Sequence, residues 1–205
     1  KELYPITNTA EGYTFEIDEN QNATLIKTDI LAETIEIPSE ISSYKVKKLS
    51  CVEEAALVGV SLTGVFEGNN VVKEIIIPEG VVETYGPAIA NCYNLEKITI
   101  PGTMTTFDVV RCDNIKEVNI VDGETINESF SYSDWYGIEE IYLPKQINKI
   151  STNAFARCYS LKNVKFSKNV YCIESVAFQG CTSLTNIDLP DKLSEIGSNA
   201  FQWCT

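Results

Sequence analysis

The chain repeats one pattern of apolar and polar positions. Cys181 is followed by Leu184 at three residues, Ile187 and Leu189 at six and eight, Ile196 at fifteen and Ala200-Phe201 at nineteen and twenty. Cys204 then closes the unit at twenty-three. The preceding stretch has the same skeleton, with Cys158, Leu161, Val164, Phe166, Ile173, Ala177 and Phe178 leading to Cys181. Counting back by 23 from Cys158 reaches Trp135 and then Cys112; a step of 20 reaches Cys92, and a further 23 reaches Asn69. Six consecutive intervals between joins therefore keep one frame, which marks a repeat architecture.

The frame holds at the other positions. Three residues after each join stand Val72, Leu95, Ile115, Ile138, Leu161 and Leu184. At six and eight stand Ile75/Ile77, Ile98/Ile100, Val118/Ile120, Ile141/Leu143, Val164/Phe166 and Ile187/Leu189. Apolar residues two apart with a polar one between them predict a short strand with one buried face. Pro78, Pro101, Pro144 and Pro190 follow, and a residue without an N–H should end each strand there. One coil cannot bury its own apolar face, but stacked coils can, with parallel strands about 4.8 Å apart. The expected fold is a mostly β solenoid of the α/β class, a right-handed horseshoe with its short parallel strands on one face.

Upstream the frame loosens. Ile35, Ile37 and Pro38 place a join at Asp29, 40 residues before Asn69, so the interval holds either one long coil with an insertion or two clipped ones. Within it a short helical turn is expected over Glu53–Leu57. Residues 12–28 alternate apolar and polar around a turn-like Asp18–Asn22 cluster and predict a hairpin that covers the first coil. The expected division is a cap over 1–28 and a solenoid over 29–205, irregular at 49–68. The sequence opens at Lys1 rather than Met, which fits removal of a leader. It stops one residue past Cys204, which fits a solenoid that continues or precedes another domain.

These residues resemble the BspA-like leucine-rich repeat proteins, whose pattern stands here as Cys181, Leu184, Ile187, Leu189, Pro190, Ile196, Gly197, Ala200, Phe201 and Cys204. Ile35 to Leu49 is similar to that family's entry segment. The resemblance covers residues 12–205, with departures at the coil from Cys92 to Cys112, at the one from Cys112 to Trp135, and over 49–68. It implies an exported or cell-surface protein used for adhesion or protein recognition.

Composition narrows the chemistry. The net charge is −13, from 29 acidic and 16 basic residues, which argues against nucleic acid or an anionic membrane surface as partner. No apolar run approaches the length of a membrane span. There is no histidine, which removes the commonest general base and most zinc sites. Sequence-neighbouring carboxylates such as Glu53-Glu54 and Glu139-Glu140 lie in no evident pocket, and glycine loops for phosphate are absent. No enzymatic activity and no cofactor are expected. Asn22-Ala-Thr24 and Asn127-Glu-Ser129 match the glycosylation acceptor pattern.

Five of seven cysteines, at 92, 112, 158, 181 and 204, occupy the join, where Asp29, Asn69 and Trp135 stand elsewhere. A slot that also accepts Trp reads as a packed interior position, so reduced, buried thiols are expected there. Stacked Cβ vectors that point the same way do not give the dihedral a disulfide needs. One cysteine per coil cannot converge four ligands on a zinc ion. Cys51 and Cys172 lie off the frame.

Binding on a solenoid is expected at the outward positions of the strand face. These are Thr34/Glu36, Glu74/Ile76, Lys97/Thr99, Glu117/Asn119, Glu140/Tyr142, Asn163/Lys165 and Asn186/Asp188. They form either an ordinary solvated face or a protein-binding surface centred on Tyr142. A second stripe, Tyr93, Tyr136 and Tyr159 with Trp135 beside it, is either an aromatic platform for a sugar or peptide or a set of rings covering a turn. The expected function is an extracellular recognition module, a monomer binding a host or matrix protein or a glycan. The alternative is a stalk that presents another domain.

Overall fold

The computed structural model describes residues 5–55, 60–107, 109–121, 125–126 and 135–205; of Glu53–Ala55, Val60, Ser61, Thr125, Ile126 and Trp135 it describes the backbone only. The predicted strand face is a six-stranded, wholly parallel sheet. Its strands are Thr34–Glu36, Glu74–Ile76, Lys97–Pro101, Glu117–Val121, Glu140–Tyr142 and Asn163–Lys165, in that spatial order. Ile35, Ile75, Ile98, Val118, Ile141 and Val164 are partners from strand to strand and all are buried. The stretch of 40 residues counts as one coil here, because Thr34 partners Glu74 directly. The short coil also keeps register, with Lys97 opposite Glu117, so its missing residues come out of the return path.

Tyr44–Ser50 is a strand, and Val52–Ala55 pairs antiparallel with Val60–Thr63. The helical turn expected over Glu53–Leu57 is therefore corrected to a strand through Ala55, with 56 and 57 outside the described residues. A helix of so few residues is marginal, whereas the partner Val60-Ser61-Leu62-Thr63 alternates apolar and polar as a strand does and pairs Val52–Ala55 into a ribbon.

The hairpin at the N-terminus is present, Tyr13–Ile17 against Asn22–Thr28, and Ile6–Ala10 adds a third antiparallel strand. Asp18 builds the turn: one carboxylate oxygen accepts the N–H groups of Asn20 (2.9 Å) and Asn22 (2.8 Å), and the other accepts the Asn22 amide. These bonds, the Asn22 N–H first among them, hold the Asp18 carboxyl below its ordinary pKa. Asn22–Thr28 then pairs parallel with Tyr44–Ser50, and that strand with Glu83–Tyr85. The cap thus covers the first coil by extending the return side of the solenoid.

Farther along, the return side forms a four-stranded parallel sheet from Thr125–Ile126, Lys149–Ile150, Cys172–Ile173 and Glu195–Ile196. Between the two sheets runs the core, which includes Ile147, Ile150, Ala154, Val170, Ile173, Ala177 and Phe178. Phe155, Phe178 and Phe201 stack at 5.4 and 5.3 Å, and Phe166 meets Phe178 edge-on at 6.0 Å. Helix is almost absent, with one 3-10 turn at Trp135–Gly137 among the described residues.

The joins explain their own composition. Cys92, Cys181 and Cys204 each donate S–H to the carbonyl of Phe66, Phe155 and Phe178 in the coil before, at 3.0, 3.2 and 3.3 Å. Asn69 fills the same slot: its amide donates to the Ile30 carbonyl at 3.0 Å, while its side-chain oxygen accepts from Val71 and Val72. Thiol and amide thus serve these joins alike, each as a small donor to a carbonyl of the coil before. All seven cysteines are free thiols, and burial pushes the half-buried Cys204 up to about 11, so it stays protonated and unreactive at neutral pH.

The residue before each of six joins is left-handed: Gly68, Asn91, Arg111, Arg157, Gly180 and Trp203. A second left-handed corner falls five residues before the join, at Asn153, Val176 and Asn199. Asparagine tolerates that conformation, whereas valine at φ 56° is strained by its branched side chain. Val176→Asn, which restores the residue of the neighbouring coils, is expected to stabilise the fold by about 1 kcal/mol, read as a higher urea midpoint.

Candidate functional site

The sheet face presents two outward columns. The first runs Thr34, Glu74, Lys97, Glu117, Glu140, Asn163, and the second Glu36, Ile76, Thr99, Asn119, Tyr142, Lys165, as the pairing register dictates. Lys97 lies between two carboxylates, 3.3 Å from Glu74 and 3.0 Å from Glu117. Hydrogen bonding to Glu117, with a further share from Glu74, raises its pKa. Asn119 donates to Glu117 at 3.3 Å, and the Tyr142 hydroxyl donates to Glu140 at 2.5 Å. That bond raises the Tyr142 pKa and fixes the ring against its own strand. Asn186 and Asp188 do not join this face. Residues 186–188 form no strand, and both side chains are exposed. In the coil before, Lys162 and Asn163 both donate to the Glu139 carbonyl, whereas Thr185 N–H bonds to Ser183 in its own turn, so the chain curls away from the ladder.

Tyr142 stands at the rim of a groove along the strand ends, lined with it by Thr99, Asn119, Val121, Leu143, Pro144 and Gln146. The groove exists because the sheet stops at Tyr142 in this coil, while the strand before it continues to Val121.

A column beside the sheet escaped the sequence reading. Four residues after successive joins stand Glu33, Lys73, Glu96, Lys116, Glu139 and Lys162, alternating in sign at every coil. Their backbones form one continuous hydrogen-bonded ladder, and Lys73 reaches Glu33 at 2.8 Å and Lys162 reaches Glu139 at 2.7 Å. The signal was available as a comparison of one position across coils. These exposed pairs neutralise the flank of the sheet and contribute little individually to stability.

Tyr136 and Tyr159 stack on adjacent coils at 5.6 Å with 17° between their planes, both half exposed. Tyr93 stands apart, with Asp113 on the coil between, and its hydroxyl donates to Asn91 at 3.0 Å. Each stacked ring thus gives one face to its neighbour. The Trp135 side chain lies outside the described residues, as does Asn127. Among the described residues no group of three or more His, Cys, Asp or Glu could hold a metal ion, and no helix is long and apolar enough to cross a membrane.

The repeat matches the family model of the BspA type leucine rich repeat region in six copies, over residues 28–110 and 109–205. The fold is similar to that of a leucine-rich cell-surface protein from Faecalibacterium prausnitzii A2-165, at 25% identity and a TM-score of 0.55. That match covers 98% of this chain and 53% of the other, so the chain spans about half the length of that protein. It is also similar to a leucine-rich repeat protein of T. pallidum, at 17% identity and a TM-score of 0.58, over 96% of this chain and 88% of that one. No curated protein matches. With the frame, the sheet and the family model in agreement over the same residues, the chain belongs to the BspA-type leucine-rich repeat family.

Proposed function

We propose that the chain is a cell-surface recognition module that binds a protein through the sheet face around Tyr142. One observation carries this reading: the hydrogen bond to Glu140 holds an aromatic ring, part exposed, at the rim of a groove. A ring fixed before binding loses little rotamer freedom on contact, and tyrosine is favoured at binding hot spots. Glu74, Lys97 and Glu117 on the same face are committed to one another, whereas the groove beside Tyr142 is open. The similarity to a cell-surface protein of the same fold supports the location. No step of catalysis is assigned to these residues.

The test is capture from extracellular-matrix and mucosal extract by the wild type and by the variant Tyr142→Ala. A partner held by the wild type and weakened at least about tenfold by the variant is the expected result. Equal capture would remove this face as the site, and no capture by either would favour a stalk.

A further inference from the structure

Charge is distributed unevenly along the solenoid axis. Residues 143–205 carry seven Lys/Arg and four Asp/Glu, a net of +3, which leaves nine basic and 25 acidic residues, a net of −16, on residues 1–142. In a solenoid, order in sequence is order in space, so residues 143–180, with six Lys/Arg and one Glu, form a basic band between an acidic start and a last coil that carries Asp188, Asp191 and Glu195 against Lys192. Lys149 and Lys162 are used in ion pairs with Glu174 and Glu139. Lys145, Lys165 and Lys168 are exposed and make no ion pair among the described residues.

Lys145 and Lys168 follow Leu143 and Phe166 by two residues, just past the ends of neighbouring strands, and Lys165 precedes Phe166. Ser167 and Asn169 both donate to the Lys145 carbonyl at 2.8 Å, which stacks the turn bearing Lys168 directly on the turn bearing Lys145. The strand ends just before these turns carry two half-buried apolar side chains, Leu143 in the groove with Pro144 and Tyr142, and Phe166 in a neighbouring groove with Lys168 and Lys192, closed on the side of the last coil by Asp188 and Asp191. At the same strand-end position in the earlier coils, Ile37, Ile77, Ile100 and Ile120 are buried. Accessible apolar side chains and unpaired lysines therefore coincide in the same two coils.

We propose that this strand-end edge, over the coils beginning at Trp135 and Cys158, binds an extended acidic segment of a partner protein whose carboxylates alternate with apolar side chains. An extended chain points successive side chains to opposite sides, so one set reaches the floor at Leu143 and Phe166 while the other meets the lysines. A polyanion without apolar groups satisfies only the lysines. The strong negative charge of residues 1–142 on one side, and Asp188 and Asp191 on the other, repel the same segment and confine it to these two coils. The inference rests on the reading of the chain as a protein-recognition module, and it assigns the chemistry of the partner.

The probe is a fluorescent peptide of repeated Asp-Leu-Asp-Pro units, in which proline prevents strand pairing, titrated with the whole chain at low ionic strength. Saturable binding is expected. It should weaken about tenfold in Lys145→Glu/Lys168→Glu, whose fold is checked by thermal unfolding, and be lost when Asn replaces Asp in the peptide. Absence of saturable binding, or equal binding by the double variant, would overturn the proposal. Equal affinity of an Asp-Ser-Asp-Pro peptide or of dextran sulfate would overturn it in favour of a general polyanion site. Because the probe is defined, these outcomes are independent of whether the sheet-face variant loses its captured partner.

Discussion

Phe178→Ala is expected to lower the free energy of unfolding by about 3–5 kcal/mol. Phe178 is fully buried between Phe155 and Phe201, with Phe166 against its edge, so three successive coils share one ring. Neighbouring coils cannot close the cavity, because each is held at a fixed rise by its backbone ladder. Phe155 N–H donates to the Ala177 carbonyl and Phe178 N–H to the Ala200 carbonyl, both at 2.8 Å. Urea unfolding followed by circular dichroism checks the value, with Phe201→Ala as the companion: its ring is only partly buried and should cost less. A loss under about 1 kcal/mol for Phe178→Ala would show that the ring column is not what joins these coils.

Gly64→Ala is expected to destabilise by about 3 kcal/mol or more. A methyl carbon at Gly64 would lie 2.0 Å from the Pro87 carbonyl oxygen and 2.8 Å from that of Ala88, both backbone atoms of the next coil. No rotamer change relieves such a contact. The coils would have to separate where Phe66 N–H bonds the Ala88 carbonyl at 3.3 Å and Gly68 N–H bonds that of Ala90 at 3.1 Å. Thermal unfolding of the variant measures this. A melting temperature unchanged from the wild type would mean that the two coils are not in this close contact.

The strand face was legible in the sequence because its information is local. Apolar residues at six and eight from the join define which way each side chain points, and the pairing register then aligns the columns without further instruction. The interval of 40 residues was ambiguous because periodicity cannot say which residues leave the ladder; the sheet settles it through the pairing of Thr34 with Glu74. The ribbon at Val52–Ala55 was missed for a related reason, since its partner Val60–Thr63 is outside the frame. Asn186 and Asp188 fit the pattern yet stand off the sheet, because the N–H of Thr185 is used in its own turn. At the site, Tyr142 was found by position, but its hydrogen bond to Glu140 and the groove beside it depend on where neighbouring strands end. Such lengths are set by contacts between coils.

The most direct test of recognition through the sheet face is site-specific photo-crosslinking in matrix and mucosal extract. A photoreactive residue replaces Asn119, next to Tyr142, in one variant and Ser194, exposed on the return side, in another. The account predicts a discrete protein adduct from position 119 and none from position 194. An adduct from position 194 alone, or none from either, would contradict it.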